Sequence, residues 1–219
     1  MTEPLLELRN VTFFYGPDRP VLRECNLRIG AADRIGLAGP NGSGKTTLLH
    51  LMVGLLRPAS GNMVAFGKPR RREADFHEVR RRAGLLFQDT DDQLFCPTVA
   101  EDVAFGPLNL GKPRADARRI VAETLDRVGL PGFERRITYR LSGGERRLVA
   151  LAAVLAMQPD VLLLDEPTAG LDEASTARLT EVLRGLPQAM LVVSHDRAFR
   201  EGVTARTLLL REGRIDPGP

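Results

Sequence analysis

The sequence has no tryptophan and only two tyrosines, and aromatic residues make up 5% of it. A surface that grips single-stranded nucleic acid needs aromatic platforms for the bases, so no nucleic-acid partner is expected. Cysteine is scarce as well. Cys25 and Cys96 stand 71 residues apart, and neither has a second Cys or a His at ligand spacing. That excludes the common zinc and dithiol motifs and fits a reducing compartment. Long apolar runs are missing: the longest uncharged one, Leu148–Met157, is about half of a bilayer span. The opening MTEPLLELRN has an acid where a secretory leader carries its basic region, and no apolar segment follows. The chain is therefore expected not to cross a membrane, and if it works at one, a partner must hold it there. Net charge is a modest +3. The clusters Arg70–Arg72 and Arg80–Arg82 accordingly read as an arginine-laced solvated face.

What is present suffices for one ordinary domain, or a domain with a lobe: 219 residues, 43% of them hydrophobic. Three β-like stretches come first, Leu5–Tyr15, Val21–Ile29 and Arg34–Ala38, followed by a glycine loop that opens the helical pattern GKTTLLHLMVGLL. A short strand is expected near Met63–Phe66, a charged helix over Glu73–Arg82, and a strand at GLLF. From Val99 to Val128 the pattern is mostly helical, with breaks expected at Gly106-Pro107 and Lys112-Pro113. A further helix covers Gly143–Met157, and VLLLDE, a helix from Asp172 to Leu186, AMLVVSH and a closing hairpin RTLLLREGRI complete the chain. Strands alternating with helices predict an α/β fold with a largely parallel sheet. An all-helical lobe over 88–158 interrupts it, leaving 1–87 and 159–219 as the core. No internal repeat, no low-complexity tract and no tail beyond the closing Pro and Gly residues are found.

GPNGSGKT, Gly39–Thr46, matches G-x-x-x-x-G-K-[ST] between an expected strand and an expected helix, the context that gives the motif its meaning. Backbone N–H groups of Asn41, Gly42, Ser43 and Gly44 can turn inward around an anion at a helix N-terminus. Lys45 would reach the β- and γ-phosphates, Thr46 would ligate Mg²⁺ and Thr47 would lie near the α-phosphate, so ATP and Mg²⁺ are the expected ligands. VLLLDE delivers Asp165 at the end of a buried strand, placed to hold Mg²⁺ through water, with Glu166 next to it to polarise an attacking water. Two ordinary surface acids would fit the same letters. A kinase would need an acceptor site and a lid, and the adjacent Glu favours water as acceptor.

LSGGE, Leu141–Glu145, carries the S-x-x-E pattern of a capping box in Ser142 and Glu145. A good helix start explains those two residues and not Gly143 and Gly144, each of which costs about 1 kcal/mol against Ala in a helix. Two glycines make sense where backbone must approach an anion, and with one phosphate loop already in the chain, that anion would belong to another copy.

Phosphate loop, LSGGE, LLLDEPTAGLD and a His after a strand, in this order, resemble the ATP-binding cassette ATPases over almost the whole chain. The resemblance implies a nucleotide-binding domain with a mixed sheet, an N-terminal antiparallel β portion and the inserted helical lobe carrying LSGGE. It also implies a head-to-tail dimer around two ATP molecules, with Ser142, Gly143 and Gly144 touching the γ-phosphate in trans and Asp172 bridging the two sites. His195 would be the switch His at the γ-phosphate, Tyr15 the aromatic stacked on adenine, and Gln88 the residue that senses Mg²⁺ and water. Taken alone, His195 would read as a surface residue, as His50 and His77 do, and Tyr15 as part of a strand.

Gln88 stands near the start of FQDTDDQLFCPTVAEDVAFGPLNLG, which mixes acids with apolar residues. Leu94, Phe95, Val99 and Phe105 beside Asp89, Asp91, Asp92, Glu101 and Asp102 would suit a groove for an amphipathic helix with basic flanks. Packing within the lobe is the competing reading, above all for Val103, Phe105 and Leu108. The stretch, with LSGGERRLVALAAVLAMQPDVLLLDEPTAGLD, is similar to the ATPases of energy-coupling factor transporters, and within them to the cobalt or nickel type, CbiO. That implies a partner ATPase, a second copy or a paralogue, together with a transmembrane coupling protein and a substrate-capturing membrane protein. It places the chain peripherally on the cytoplasmic face of the cell membrane, with biotin or another vitamin as an alternative cargo. Many members continue past the point where this chain ends, and position 145 is Glu where the wider family often has Gln. A soluble cassette ATPase of nucleic-acid repair or translation is the rival; such proteins usually carry long insertions, whereas 54 residues separate Gln88 from Ser142.

Overall fold

The protein is described by a computed structural model that covers residues 3–16 and 20–217. The first two residues of the opening stretch and the closing Gly218 and Pro219 lie outside the described residues. In chain order the elements begin β1 (Leu6–Phe13), β2 (Leu22–Ile29), β3 (Arg34–Ala38), α1 (Lys45–Met52), β4 (Ser60–Ala65), β5 (Lys68–Arg70), α2 (Glu73–Arg82) and β6 (Ala83–Leu86). They continue as α3 (Val99–Asn109), α4 (Arg114–Arg127), a 3-10 turn at Thr138–Arg140, α5 (Gly143–Leu155), β7 (Val161–Asp165), α6 (Glu173–Arg184), β8 (Ala189–Val193), α7 (Arg197–Val203), β9 (Arg206–Arg211) and β10 (Arg214–Pro217).

Two compact units form. One comprises the chain up to Leu85, Asp160–Asp165 and everything from Gln188; the other comprises Leu86–Pro159 and Glu166–Pro187. Residues 166–187, drawn with the core on the sequence, thus group with the helices.

In the first unit, β2-β1-β4-β5 make an antiparallel sheet and β10-β9-β3-β8-β7-β6 a mixed one. This is the expected α/β architecture with its antiparallel portion. In β2, Leu22, Cys25, Leu27 and Ile29 are buried between exposed Arg23, Glu24, Asn26 and Arg28, the alternation of a one-sided sheet. β1 keeps Leu6, Leu8, Val11 and Phe13 inside although Leu8 and Val11 are three apart. Asn10, at φ 51°, absorbs the extra residue in a bulge where the register with β2 shifts. β7 and β8 are buried at all five positions, as continuous apolar runs in a covered parallel sheet should be. One apolar cluster joins both sheets to α1, through Leu6, Ile29, Leu37, Leu48, Leu163 and Val193.

The second unit buries Val99 and Val103 of α3, Val121 and Leu125 of α4, Val149 of α5, and Leu179 and Leu183 of α6. Here one expectation fails. The Gly106-Pro107 step does not break the helix: α3 runs on to Asn109 with Pro107 inside it. A Cβ at Gly106 would lie 2.5 Å from Cγ of Met157, so this glycine serves close packing, and tertiary contact overrides the local signal. The break at Lys112-Pro113 is present, with α4 starting at Arg114.

The arginine clusters are a second correction. Arg70 is buried, not solvated. Its guanidinium donates to Ala65 O at 3.0 Å and Asp75 O at 2.9 Å and pairs with Glu78 at 2.7 Å, tying the β4–β5 hairpin to α2. Arg80 donates to Val53 O and Gly54 O at the end of α1. Burial is tolerated because the donors are satisfied by carbonyls that would otherwise lose water without replacement. Arg70→Met is expected to lower the unfolding free energy by about 1–3 kcal/mol, since it leaves buried acceptors without a donor. Arg81→Met, on an exposed side chain, should stay within about 0.5 kcal/mol of wild type. Urea unfolding of the two variants checks both expectations.

Candidate active site

In the first unit the site is built on strand ends that stand level. Leu37 of β3 pairs with Val193 of β8, and Val193 with Asp165 of β7. Parallel α/β sheets offer their ligand crevice beyond such carboxyl ends. From here the chain leaves β3 into the loop at Gly39, leaves β8 through Ser194 to His195, and ends β7 on buried Asp165. His195 is exposed.

The loop turns into α1 through Gly44, at φ 102°, a left-handed conformation that glycine adopts without strain. Lys45 is the first residue of α1 and is buried; its Nζ donates to Gly39 O and Pro40 O, both at 2.9 Å, so the ammonium lies across the mouth of its own loop. Ser43 Oγ is buried there without a hydrogen-bond partner. A fixed positive charge beside an unsatisfied hydroxyl at a helix N-terminus fits a polyphosphate. Asn41, Gly42 and Thr46 are exposed. Thr47 is buried, with its Oγ1 3.0 Å from Tyr15 Oη. Tyr15 itself is 67% exposed and stands edge-on to Phe13, ring centroids 4.9 Å apart. An exposed ring tethered to the loop can offer its face to a base. Asp165 and Thr46 supply oxygen donors of the kind Mg²⁺ prefers.

The second unit holds the remaining expected residues. Glu166, following β7, has φ 42°, rare for a residue with a side chain and costing on the order of 1 kcal/mol. Strain of this kind, at a carboxylate read as catalytic, is a feature that spacing alone does not reveal. Gln88 is exposed two residues after β6. Its carbonyl and that of Phe87 each accept from the buried guanidinium of Arg147, at 2.7 Å. Arg146 pairs with Asp91, and Gln93 Nε2 reaches Ala150 O at 3.3 Å. The loop after Gln88 is thus strapped along α5, the helix that Ser142 starts. Arg147 was missed on the sequence because ERRLVA reads as an ordinary helix face.

Ser142 caps α5 as expected: Glu145 N donates to its Oγ at 3.2 Å, and Ser142 N donates to Glu145 Oε2 at 2.8 Å. The two glycines differ. A Cβ on Gly144 would sit 2.3 Å from Ser175 Oγ, so this glycine has a packing reason beside the anion expected from the sequence. Around Gly143 nothing lies within 4 Å of that position. Asp172 caps α6, its Oδ1 accepting from Ser175 N at 2.7 Å, and this bond holds its carboxyl below the usual range. Thr98 and Glu101 form a second capping box at α3.

The acids of the segment around Gln88 separate in the structure. Asp102 is buried and accepts from Phe95 N and Cys96 N at 3.0 and 2.9 Å and from Thr138 Oγ1 at 3.1 Å. Val99 and Val103 are buried as well, so none of the three faces a partner. Phe105 and Leu108 are 47% and 43% exposed and line a groove of about 1060 Å³ with Cys96, Glu101, Arg114 and Arg118. Phe95, more exposed still, meets Phe105 edge-on at 4.8 Å. The groove carries both signs of charge, not the acidic rim expected. Burial pushes the Cys25 thiol up to about 12; burial, helped by Asp102, pushes Cys96 up to about 11. Among the described residues no helix is long and apolar enough to cross a membrane.

A phosphate loop, an Asp and a His at level ends of parallel strands define a P-loop nucleotide-binding domain. Comparison with known proteins narrows this. The ABC transporter family model matches residues 22–169. The chain is 51% identical over 211 residues to an ABC transporter ATP-binding protein of Nitratidesulfovibrio vulgaris, covering 96% of this chain and 77% of that one. It is 39% identical over 215 residues to the energy-coupling factor transporter ATP-binding protein EcfA of Methanothermobacter thermautotrophicus, covering 96% and 69%. The solved structure of CbiO1 from Clostridium perfringens, part of the ABC transporter complex CbiONQ, matches with a TM-score of 0.89 at 31% identity, over 98% of this chain and 88% of that one. The chain belongs to the ABC transporter family and is one of its ATPases.

The α5 capping box predicts a pH dependence. The bond from Ser142 N, with Arg136 nearby, holds the Glu145 carboxyl below its ordinary 4.5. Its folded value lies below its unfolded one, so its contribution is complete above about pH 4.5 and is lost as pH falls through the depressed folded value. Glu145→Gln keeps the acceptor and does not titrate. The gap in unfolding free energy between wild type and Glu145→Gln at pH 7 should therefore narrow progressively as pH is taken below 4.5; urea unfolding along that pH series measures it, and a constant gap would deny the carboxylate any role.

Proposed function

We propose that this ATPase is the energy-coupling subunit of an energy-coupling factor importer, peripheral on the cytoplasmic face of the membrane. It works as a head-to-tail dimer, with a second copy or a paralogous ATPase, on a transmembrane coupling protein that partners a substrate-capturing membrane protein. Cobalt or nickel ions are the proposed cargo, in keeping with the similarity to CbiO1. The observation that carries the membrane partner is the groove bordered by exposed Phe105 and Leu108, whose aromatic Phe95–Phe105 edge belongs to the segment that begins at Gln88. Apolar side chains left half-exposed around a groove favour an apolar helix face as occupant.

In this reading Lys45 and the loop Asn41–Thr47 hold the phosphates of ATP, and Tyr15 stacks on the base. Thr46 and Asp165, with Gln88, hold Mg²⁺, which when bound neutralises charge on the β- and γ-oxygens. Glu166 takes the position of the base that orients water, and His195 contacts the γ-phosphate. Ser142, Gly143 and Gly144 serve the partner's nucleotide. Open space at Gly143 leaves the first N–H groups of α5 approachable. Asp172, with one oxygen engaged in capping, has the other available to bridge the two sites.

Glu166→Gln is expected to bind ATP and elute as a dimer with it, while hydrolysis falls by about a hundredfold or more; full turnover would remove the assigned base. Tagged protein recovered from membranes in mild detergent should bring with it a multi-span coupling protein and a small capture protein whose bound ion or vitamin names the cargo. Recovery only from the soluble fraction, with nucleic acid or ribosomes, would overturn the transport assignment and leave the ATPase intact.

A further inference from the structure

Arg200, in the middle of α7, is 9% exposed. Its Nη1 donates to Ser194 O at 2.6 Å, and its Nε is buried without a hydrogen-bond partner. The side chain reaches that carbonyl by crossing β3 at Gly36. A Cβ there would lie 2.6 Å from Arg200 Cγ and 2.7 Å from Cδ, so the strand needs glycine for the arginine to pass. Glycine inside a strand is unfavourable relative to Ala, and a buried guanidinium with an unsatisfied nitrogen is unfavourable relative to an apolar side chain of similar size. Two such choices at one spot call for a reason beyond filling space, which Met or Leu would do as well.

The reason lies in what Arg200 holds. Ser194 is buried and directly precedes His195. Its Oγ accepts from Asp196 N at 3.1 Å, and Asp196 in turn caps α7, accepting from Phe199 N at 3.0 Å, while Arg200 N donates to Asp196 O at 3.0 Å. Both chain neighbours of His195 are thus pinned, one of them by a charge-assisted bond from Arg200, while the imidazole stays exposed.

We infer that Arg200, passing over Gly36 to the Ser194 carbonyl, is a positioning residue for His195 that sets the direction in which the imidazole leaves β8. The inference rests on the proposed role of His195 at the γ-phosphate. Arg200 acts through the peptide before His195.

A double-mutant cycle on ATP hydrolysis tests it. His195→Ala and Arg200→Met are each expected to lower kcat by roughly tenfold or more, with KM for ATP kept within about twofold. Arg200→Lys, whose ammonium can donate to the same carbonyl, should recover most of the loss. In the pair His195→Ala/Arg200→Met the second change should add nothing to the first. A wild-type kcat in Arg200→Met, or losses that multiply in the pair, would overturn the inference. Should Arg200→Met fail to fold in a thermal melt, Gly36→Ala replaces it, since it keeps the arginine and displaces its stem; the same non-additivity with His195→Ala is then required. A wild-type rate in His195→Ala would sink the assignment of His195 itself, and the inference with it. A fall there without a fall in Arg200→Met would sink the inference alone.

Discussion

Three parallel strands that end level with one another are the constraint from which the site follows. Leu37, Val193 and Asp165 share one line across β3, β8 and β7, so the loop, the His and the Asp are delivered to one edge by main-chain pairing before any side chain chooses a rotamer. All five residues of β7 and of β8 are buried, and a strand covered on both faces has nowhere to put a charge except at its end. Asp165 stands at that end. The register is therefore held by burial and by the acid together, and the chemistry inherits its spacing from the sheet.

Arginine holds several segments of both units in place. Arg70 reaches Ala65 O and Asp75 O, Arg80 reaches Val53 O and Gly54 O, Arg147 reaches Phe87 O and Gln88 O, and Arg200 reaches Ser194 O. Each guanidinium offers several donors in a rigid fork, and at Val53, Gly54, Phe87, Gln88 and Ser194 the carbonyls it satisfies lie outside helix and strand. Lysine would offer a point charge without the fork. Arg70, Arg80, Arg147 and Arg200, which on the sequence read as ordinary surface charge, are internal scaffolding.

This explains where the sequence was legible and where it was not. The phosphate loop, the strand ending in Asp165 and the Ser142–Glu145 cap are local: their meaning is contained in a few adjacent residues and one period, and they stand in the structure as expected. β5 carries Pro69 in three residues and α7 is seven residues long, too short for either periodicity to register. The helix break at Pro107, the apolar groove residue Val99, the solvated Arg70 and the unpacked Gly144 failed for one reason. Each is decided by a contact that the local pattern does not contain: Met157 for Gly106 and Ser175 for Gly144, both far along the chain, and Ala65 and Glu78 for Arg70, brought to it by the β4–β5 turn and by α2. The strain at Glu166 is a backbone angle, which composition does not encode.

The two native thiols offer a practical return. Burial at Cys25, and burial with a neighbouring carboxylate at Cys96, keep both far from ionisation at neutral pH. At about 11 for the more acidic of them, roughly one molecule in ten thousand carries the thiolate at pH 7, the form that reacts with maleimides and disulfides. Both thiols are thus expected to react slowly with such reagents. A single cysteine introduced at an exposed position would therefore label ahead of both native thiols, so a dye can be placed without first removing Cys25 and Cys96.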